Sequence, residues 1–196
     1  MRINKKAFVA FTAALLCLAL GSCGGSSAIS GDPTAFSNAD ESFSIELPAS
    51  GEDDWTVNEE TTGDVLDISN KDDTVNIQIQ CLSKSQAQYI AEDLAEYEQY
   101  SMINTLSDIL GDITLEDAQV ELPDFIISGE AETFTLDDGS DSAVGTVIFM
   151  ESESCYYTYL IMATKDMYDE NESVLMGSVL SLQELTSVPE SSDSES

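Results

Sequence analysis

The segment CYYTYLIMAT, residues 155–164, decides the fold, because it is apolar at nearly every position. A strand that faces the core on one side alternates apolar with polar residues, whereas a strand covered on both faces does not. The apolar positions include Tyr156, Tyr157, Tyr159, Leu160 and Met162. We therefore predict a central strand with packed layers on both faces of its sheet.

Strands and a helix surround this central strand. Further strands are predicted at residues 114–122, 129–136 and 142–151. Turn-forming residues separate them: Pro123, Asp137-Asp138-Gly139 and residues 152–154. After the central strand, a helix is predicted over about Asp166 to Leu185. Its apolar residues Met167, Val174, Leu175, Val179 and Leu182 would face the sheet.

The N-terminal half of the chain also indicates strands. Phe43, Ile45 and Leu47 alternate with polar residues, which predicts a half-buried strand that Pro48 ends. Three more strands are predicted at residues 55–59, 65–69 and 75–81. We expect the four to form an antiparallel meander with one face in solvent.

Between these two sets of strands, apolar residues recur every three or four positions, which predicts an amphipathic helix. They are Ala87, Ile90, Ala91, Leu94, Tyr97, Ser101, Leu106 and Leu110. Asn104-Thr105 are weak helix formers that could bend or divide the helix. Gly111 is placed to follow its C-terminal end.

Strands, a helix, strands and a helix over residues 37–186 predict a single α+β domain. The motifs Phe43-Ser44-Ile45-Glu46-Leu47-Pro48, closely followed by Trp55, and Tyr159-Leu160-Ile161-Met162-Ala163-Thr164 resemble the PsbP-like family. That resemblance implies an α/β/α sandwich with a mainly antiparallel sheet, a long central helix and a C-terminal helix. It also implies a docking or accessory role in a larger assembly, and no catalytic motif.

The first 22 residues predict a signal peptide. Arg2, Lys5 and Lys6 precede an apolar run, residues 7–20, that is shorter than the about 20 residues a membrane span needs. Leu20-Gly21-Ser22-Cys23 then resembles the lipobox of bacterial lipoproteins. The resemblance implies cleavage between Ser22 and Cys23 and a diacylglycerol on Cys23. The alternative is an ordinary secretory signal with Cys23 as a bystander thiol.

Residues 23–36 are predicted to be a lipid-anchored flexible linker, because large apolar residues are scarce there. Residues 187–196, rich in Ser, Glu and Asp, are predicted to be a disordered acidic tail. The domain would therefore stand on the extracytoplasmic side of the cell membrane, held by a two-chain lipid anchor.

Charge excludes several function classes. The chain has 6 Lys and Arg, 38 Asp and Glu and no His, with a net charge of -32. Nucleic-acid binding is excluded because it requires a basic surface. Histidine-based triads and histidine-ligated zinc are excluded because the residue is absent. The acidic surface serves solubility, or it attracts a basic partner, peptide or cation.

Two cysteines remain in the predicted domain, Cys81 and Cys155, both in apolar, strand-like segments. Because both segments are apolar, we favour two buried free thiols. The alternative is a disulfide between Cys81 and Cys155, which requires a suitable distance between the two Cα atoms. A catalytic thiol is not expected without a histidine or basic neighbour.

The acidic segments supply no specific site. Asp137-Asp138-Gly139-Ser140-Asp141 could hold calcium, but the spacing does not match an EF-hand and a hairpin turn is favoured. We assign no catalytic residue, no metal ligand and no cofactor. The sequence favours a non-enzymatic, lipid-anchored binding or accessory module for a protein or envelope component. The alternatives are a receptor for a cation or small ligand on the acidic surface and, third, a carboxylate-based hydrolase.

Overall fold

The computed structural model describes residues 28–52, 54–58, 62–106, 113–137 and 142–185. The predicted signal peptide with Ser22 and Cys23, the position Gly111, residues 138–141 of the predicted Asp-rich turn and the predicted acidic tail lie outside these residues. The strands are β1 Asp32–Ser37, β2 Phe43–Ala49, β3 Trp55–Val57, β4 Val65–Asn70, β5 Val75–Ser83, β6 Leu115–Asp117, β7 Ser128–Asp137, β8 Ser142–Glu151, β9 Cys155–Thr164 and β10 Gln183–Glu184. The helices are α1 Lys84–Ala87, α2 Leu94–Ser101, a π-helical segment Met102–Leu106 and α3 Lys165–Leu180.

The main sheet has seven antiparallel strands in the order β3-β4-β5-β9-β8-β7-β6. The predicted central strand β9 is the fourth of the seven, and all its residues except Thr164 are buried. It pairs with β5 along one edge and with β8 along the other. The prediction of a central, doubly covered strand is therefore confirmed.

Both faces of this sheet are packed. On one face, Tyr159 and Ile161 of β9 belong to a core cluster with Leu175 and Val179 of α3. On the other face, Leu160 belongs to a second cluster, formed with α1, α2 and the π-helical segment. Helices on both faces of an antiparallel sheet confirm the predicted α+β sandwich.

Strand β2 corrects the predicted meander, because it lies in a separate three-stranded sheet in the order β1-β2-β10. Phe43, Ile45 and Leu47 are fully buried against the α3 side of the main sheet. The strand continues through Pro48, which the sequence analysis took as its end. At Pro48 the strand is paired only with β1, because β10 pairs only with residues 43 and 44. One edge of β2 is therefore unpaired at this position, and a proline is tolerated at such an edge.

Strand β1 occupies residues 32–37, where the sequence analysis placed the end of the flexible linker. Its register places Phe36 opposite Ile45. Phe36 is half-buried and packs on the core, although it stands in a stretch otherwise poor in apolar residues. The ordered domain therefore begins earlier than the predicted boundary at residue 37.

The meander β3-β4-β5 does not have the predicted solvent-exposed face. Asp67, Asn76 and Gln78 point away from the α3 side and are nonetheless buried. The Asp67 carboxylate accepts hydrogen bonds from the side chains of Asn76 (2.7 Å) and Asn58 (3.2 Å). Polar residues at alternate positions predicted a wet strand face, whereas these residues mostly satisfy one another inside the protein.

The predicted long helix is divided, and its first break precedes Asn104-Thr105. Ser83 caps α1 through a hydrogen-bonded exchange with Gln86. Asp93 then caps α2, accepting a hydrogen bond at 2.9 Å from the Glu96 amide. Each cap starts a new helix, so the chain turns between them. The predicted apolar positions Ala87, Ala91, Leu94, Tyr97, Ser101 and Leu106 are all buried.

Two further boundaries differ from prediction. The last helix ends at Leu180 rather than near Leu185, because the chain then enters β10. The strand predicted at 114–122 covers only Leu115–Asp117. Beyond it, half-buried apolar residues of 118–126 pack on the α3-side core as a loop.

Candidate functional site

An open groove of about 790 Å³ runs between α3 and the end of the main sheet formed by β6, β7 and β8. Its floor includes Thr133 and Thr135 of β7 and Val144 of β8. Residues two apart on a strand point to the same face, so both threonines face α3. The floor therefore offers hydroxyl groups beside an apolar side chain.

The wall of the groove is one face of α3. Lys165, Tyr168, Asp169 and Glu172 line it, at spacings of three and four residues that place them on one side of a helix. The Tyr168 hydroxyl lies 2.7 Å from the Thr146 hydroxyl of β8. Burial raises the pKa of Tyr168, so its hydroxyl stays protonated at neutral pH. This hydrogen bond fixes α3 against the sheet and holds the wall in place.

The charge of the groove is mainly negative. Glu116, Asp169 and Glu172 line it, and Lys165 is the basic residue among the described lining residues. Lys165 Nζ lies 2.8 Å from Asp169 Oδ2, so the positive charge is already paired within the wall. The hydrogen bond and charge of Asp169 raise the pKa of Lys165. An incoming ligand therefore meets uncompensated carboxylates, which favour a cation and repel an anion.

A second polar cluster lies where β9 begins and β10 passes the main sheet. Glu184 Oε1 accepts hydrogen bonds from the hydroxyls of Ser152 (2.7 Å), Ser154 (3.0 Å) and Tyr157 (2.8 Å). Burial is the main cause that raises the pKa of Tyr157, so its hydroxyl remains a donor. These three bonds connect the small sheet to Tyr157 of β9 and to the turn that precedes this strand.

The two cysteines that the sequence singled out lie together beside this cluster. Cys81 pairs with Tyr157 and Cys155 pairs with Ser83, so the thiols are diagonal neighbours on one face of β5 and β9. Both are buried free thiols in the α3-side core. The side-chain contact between the thiols is the largest influence on both: it raises the pKa of Cys81 and lowers that of Cys155.

A third cluster is acidic and lies where α2 meets β7. Burial, and then the charges of Glu130 and Glu132, raise the pKa of Glu98. Burial, and then the charges of Asp117 and Glu130, raise the pKa of Glu132. No group of three or more Cys, Asp and Glu side chains in the described part of the chain is arranged to hold a metal ion.

The groove was not found by sequence reasoning. Two patterns in the sequence point to it: the threonines at 133 and 135 on one strand face, and the polar face Lys165, Tyr168, Asp169, Glu172 of a helix otherwise packed on the sheet. Neither pattern shows that the helix and the end of the sheet leave a gap between them. That gap depends on where α3 crosses the strands.

No family model matches the chain, and no curated protein does. Among solved structures, it is similar to a protein of Bacteroides thetaiotaomicron VPI-5482, with 11% identity and a TM-score of 0.48, over 81% of this chain and 50% of that one. The chain thus spans half the length of that protein.

Two other solved structures are similar over most of their length. Cyanobacterial PsbP (CyanoP) of Synechocystis sp. PCC 6803 has 16% identity and a TM-score of 0.46, over 84% of this chain and 98% of that one. LpqN of Mycobacterium tuberculosis, described as involved in cell envelope biogenesis, has 14% identity and a TM-score of 0.44, over 79% of this chain and 91% of that one. At these values no residue role and no activity is carried over.

Within the described ranges, no helix is both long and apolar enough to cross a bilayer.

Proposed function

We propose that this chain is a lipid-anchored, extracytoplasmic binding module without enzymatic activity, and that it holds a basic segment of an envelope protein in the groove beside α3. The observation that carries the proposal is the charge of the groove, three carboxylates against one lysine that is already paired. Lys or Arg side chains of a partner would contact the carboxylates. The threonine hydroxyls would accept hydrogen bonds from the backbone N–H groups of the partner or donate them to its carbonyl groups.

The whole chain favours the same class of partner. A net charge of -32 raises the encounter rate with a basic protein and slows the approach of an acidic one. Anionic lipid headgroups repel the same surface, so electrostatics favours a domain that projects from the membrane. A lipid anchor then supplies the attachment that charge opposes.

The described domain begins beside α3. The Ile29 amide donates a hydrogen bond at 2.7 Å to Asn171 Oδ1 of α3, and Ile29 packs against the α3-side core. Five residues lie between Cys23 and Ile29, so the six residue steps reach at most about 22 Å. Lipidation of Cys23 would therefore keep the helix that forms the groove wall close to the membrane, where a partner is itself membrane-bound.

Peptide binding tests the groove. Binding of a fluorescein-labelled octalysine peptide to the full chain is measured at physiological salt for a groove variant, Glu116→Gln/Glu172→Gln, and for a matched control, Glu121→Gln/Glu153→Gln, whose glutamates are exposed elsewhere. Exposed charge pairs contribute up to about 1 kcal/mol each, so the groove variant should bind about 5- to 30-fold more weakly. Equal weakening by both variants would mean that the overall negative charge of the protein, rather than the groove, binds the peptide. That result would overturn the assignment of the groove.

The cation-receptor alternative is tested on the same protein. A ligand that binds the native state alone raises the melting temperature by mass action. A rise of several degrees in millimolar calcium, abolished by the groove variant, would replace the basic segment with a cation as the occupant. We expect no such rise.

Lipidation is tested separately. Cys23→Ala should abolish incorporation of labelled fatty acid and release the protein from membranes, whereas Cys17→Ala, within the apolar run, should change neither. Persistent labelling of Cys23→Ala would contradict the anchor and leave the groove assignment standing.

A further inference from the structure

The buried thiols of Cys81 and Cys155 share one sheet face at the ends of two paired strands. Cys155 is the first residue of β9 and Cys81 lies two residues before the end of β5. Diagonal neighbours on antiparallel strands have Cα atoms about 7–8 Å apart in a regular ladder. A disulfide needs about 4.4–6.8 Å, so a small approach of these strand ends is sufficient.

The strand end that carries Cys155 is attached to its surroundings by side chains that can adjust. Ser152 Oγ accepts a hydrogen bond from the Cys155 amide at 3.0 Å, and the hydroxyls of Ser152 and Ser154 donate to Glu184. Glu184 is an exposed residue of a two-residue strand. Cys155 forms the last pair of the β5–β9 ladder, opposite Ser83, and a turn precedes it, so a small displacement disturbs only the end of that ladder.

We propose that Cys81 and Cys155 are a redox pair that closes a disulfide between β5 and β9 on the extracytoplasmic side of the membrane. The oxidant is a disulfide, either of a protein thiol oxidase or of a small molecule such as oxidised glutathione. One thiolate of the pair attacks a donor sulfur, forms a mixed disulfide and expels the first donor thiolate. The second thiolate attacks the mixed disulfide and expels the other donor thiolate. Two cysteines are oxidised, the donor disulfide is reduced, and the two cysteine protons end on the donor thiols.

The contact between the thiols prepares them for this exchange. Two thiols in contact favour one shared proton, because the remaining S–H can donate to the thiolate. The lowered pKa of Cys155 and the raised pKa of Cys81 agree with that arrangement. Oxidation is expected chiefly while the chain folds or when the strand ends open, since both thiols are buried in the folded domain.

The disulfide would close a loop of about 75 residues, from β5 through α1, α2 and the strands β6 to β8. Loops of this length give substantial stabilisation by restricting the unfolded chain. The oxidised protein should therefore melt about 5–10 °C higher than the reduced protein.

The test is made on the full chain, unfolded in urea and refolded with excess oxidised glutathione or with a reductant. The protein is then unfolded again, alkylated without reduction and digested. We expect a peptide that links residue 81 to residue 155, present after oxidative refolding and absent after reductive refolding. Cys81→Ser is the control, and it should leave Cys155 free or joined to glutathione.

Two results would overturn the proposal. One is recovery of both Cys81 and Cys155 alkylated, or separately joined to glutathione, after oxidative refolding. The other is a linked protein that melts at or below the temperature of the reduced form, which would mean that the bond distorts the native sheet. Neither result depends on what the groove binds.

Discussion

Gln78 provides a test of the packing between β5 and the helices above it. Its side chain is fully buried, and neither amide atom has a hydrogen-bond partner in the described structure. Its neighbour Asn76, on the same face of the same strand, donates to Asp67 and Ser69. We predict that Gln78→Met stabilises the protein, whereas Asn76→Leu destabilises it.

Gln78→Met should gain stability because it removes the free-energy cost of burying an amide that has no hydrogen-bond partner. A buried polar group without a partner costs about 1–3 kcal/mol. Methionine has a similar length and flexibility, and a swap that roughly conserves volume costs less than about 1.5 kcal/mol. The net gain at Gln78 is therefore about 1–2 kcal/mol, a rise of about 2–8 °C in the melting temperature of a domain of this size.

Urea unfolding at pH 7, followed by tryptophan fluorescence, measures both variants, because Trp55 lies in the buried core. Asn76→Leu should cost about 2 kcal/mol or more, since it leaves Asp67 without its shorter hydrogen bond. A loss of stability in Gln78→Met would refute the reasoning. It would mean that the amide has a partner in solution, either a buried water or a ligand.

Three other predictions concern single contacts. Burial raises the pKa of Tyr97 from 10.0 to about 12, so the unfolded state loses this hydroxyl proton at a lower pH than the folded state. The free energy of unfolding in urea should therefore fall as pH rises through this range, with a slope that corresponds to about one proton, and Tyr97→Phe should remove this decrease. Gly145→Ala should cost about 1–3 kcal/mol, because the added Cβ would collide with the Phe134 ring, and Phe134→Leu in the same chain should recover part of that loss in thermal melts. The Lys84 ion pair at 2.7 Å lowers the pKa of Glu151, so its contribution is present above pH 4.5 and is lost as pH falls further; Lys84→Met should cost about 1 kcal/mol at pH 7 and less at pH 3.

The sequence predicted the elements that have one strong pattern. The apolar run of 155–164 predicted a central strand, and the bounds of β8 and β9 are those expected. The stripe from Ala87 to Leu106 predicted the buried face of the helical layer. In each case the local pattern and the tertiary environment agree, so local information was sufficient.

Other features depend on contacts between distant residues. The assignment of β2 to a second sheet depends on pairing with β10, some 140 residues later. The buried polar residues of β4 and β5 satisfy one another across strands, which an alternating pattern cannot distinguish from exposure to solvent.

The candidate site depends on distant contacts in the same way. The groove exists because α3 and the end of the main sheet leave a gap between them. Cys81 and Cys155 are neighbours because of the register in which β5 pairs with β9. Composition nevertheless supports the basic partner that we propose, since the excess of carboxylates is a property of the whole chain.

The most direct test of the proposed function is site-specific photo-crosslinking in cells that express the full chain. The photoreactive residue replaces Thr135 in the groove or, as a control, the exposed Gln88 on the opposite side of the sheet. The account predicts a discrete crosslink from position 135 to a Lys- or Arg-rich peptide of an envelope protein, lost when Glu116 and Glu172 are both glutamine. A crosslink from position 88 with none from 135, or one from 135 that survives removal of both charges, would contradict it.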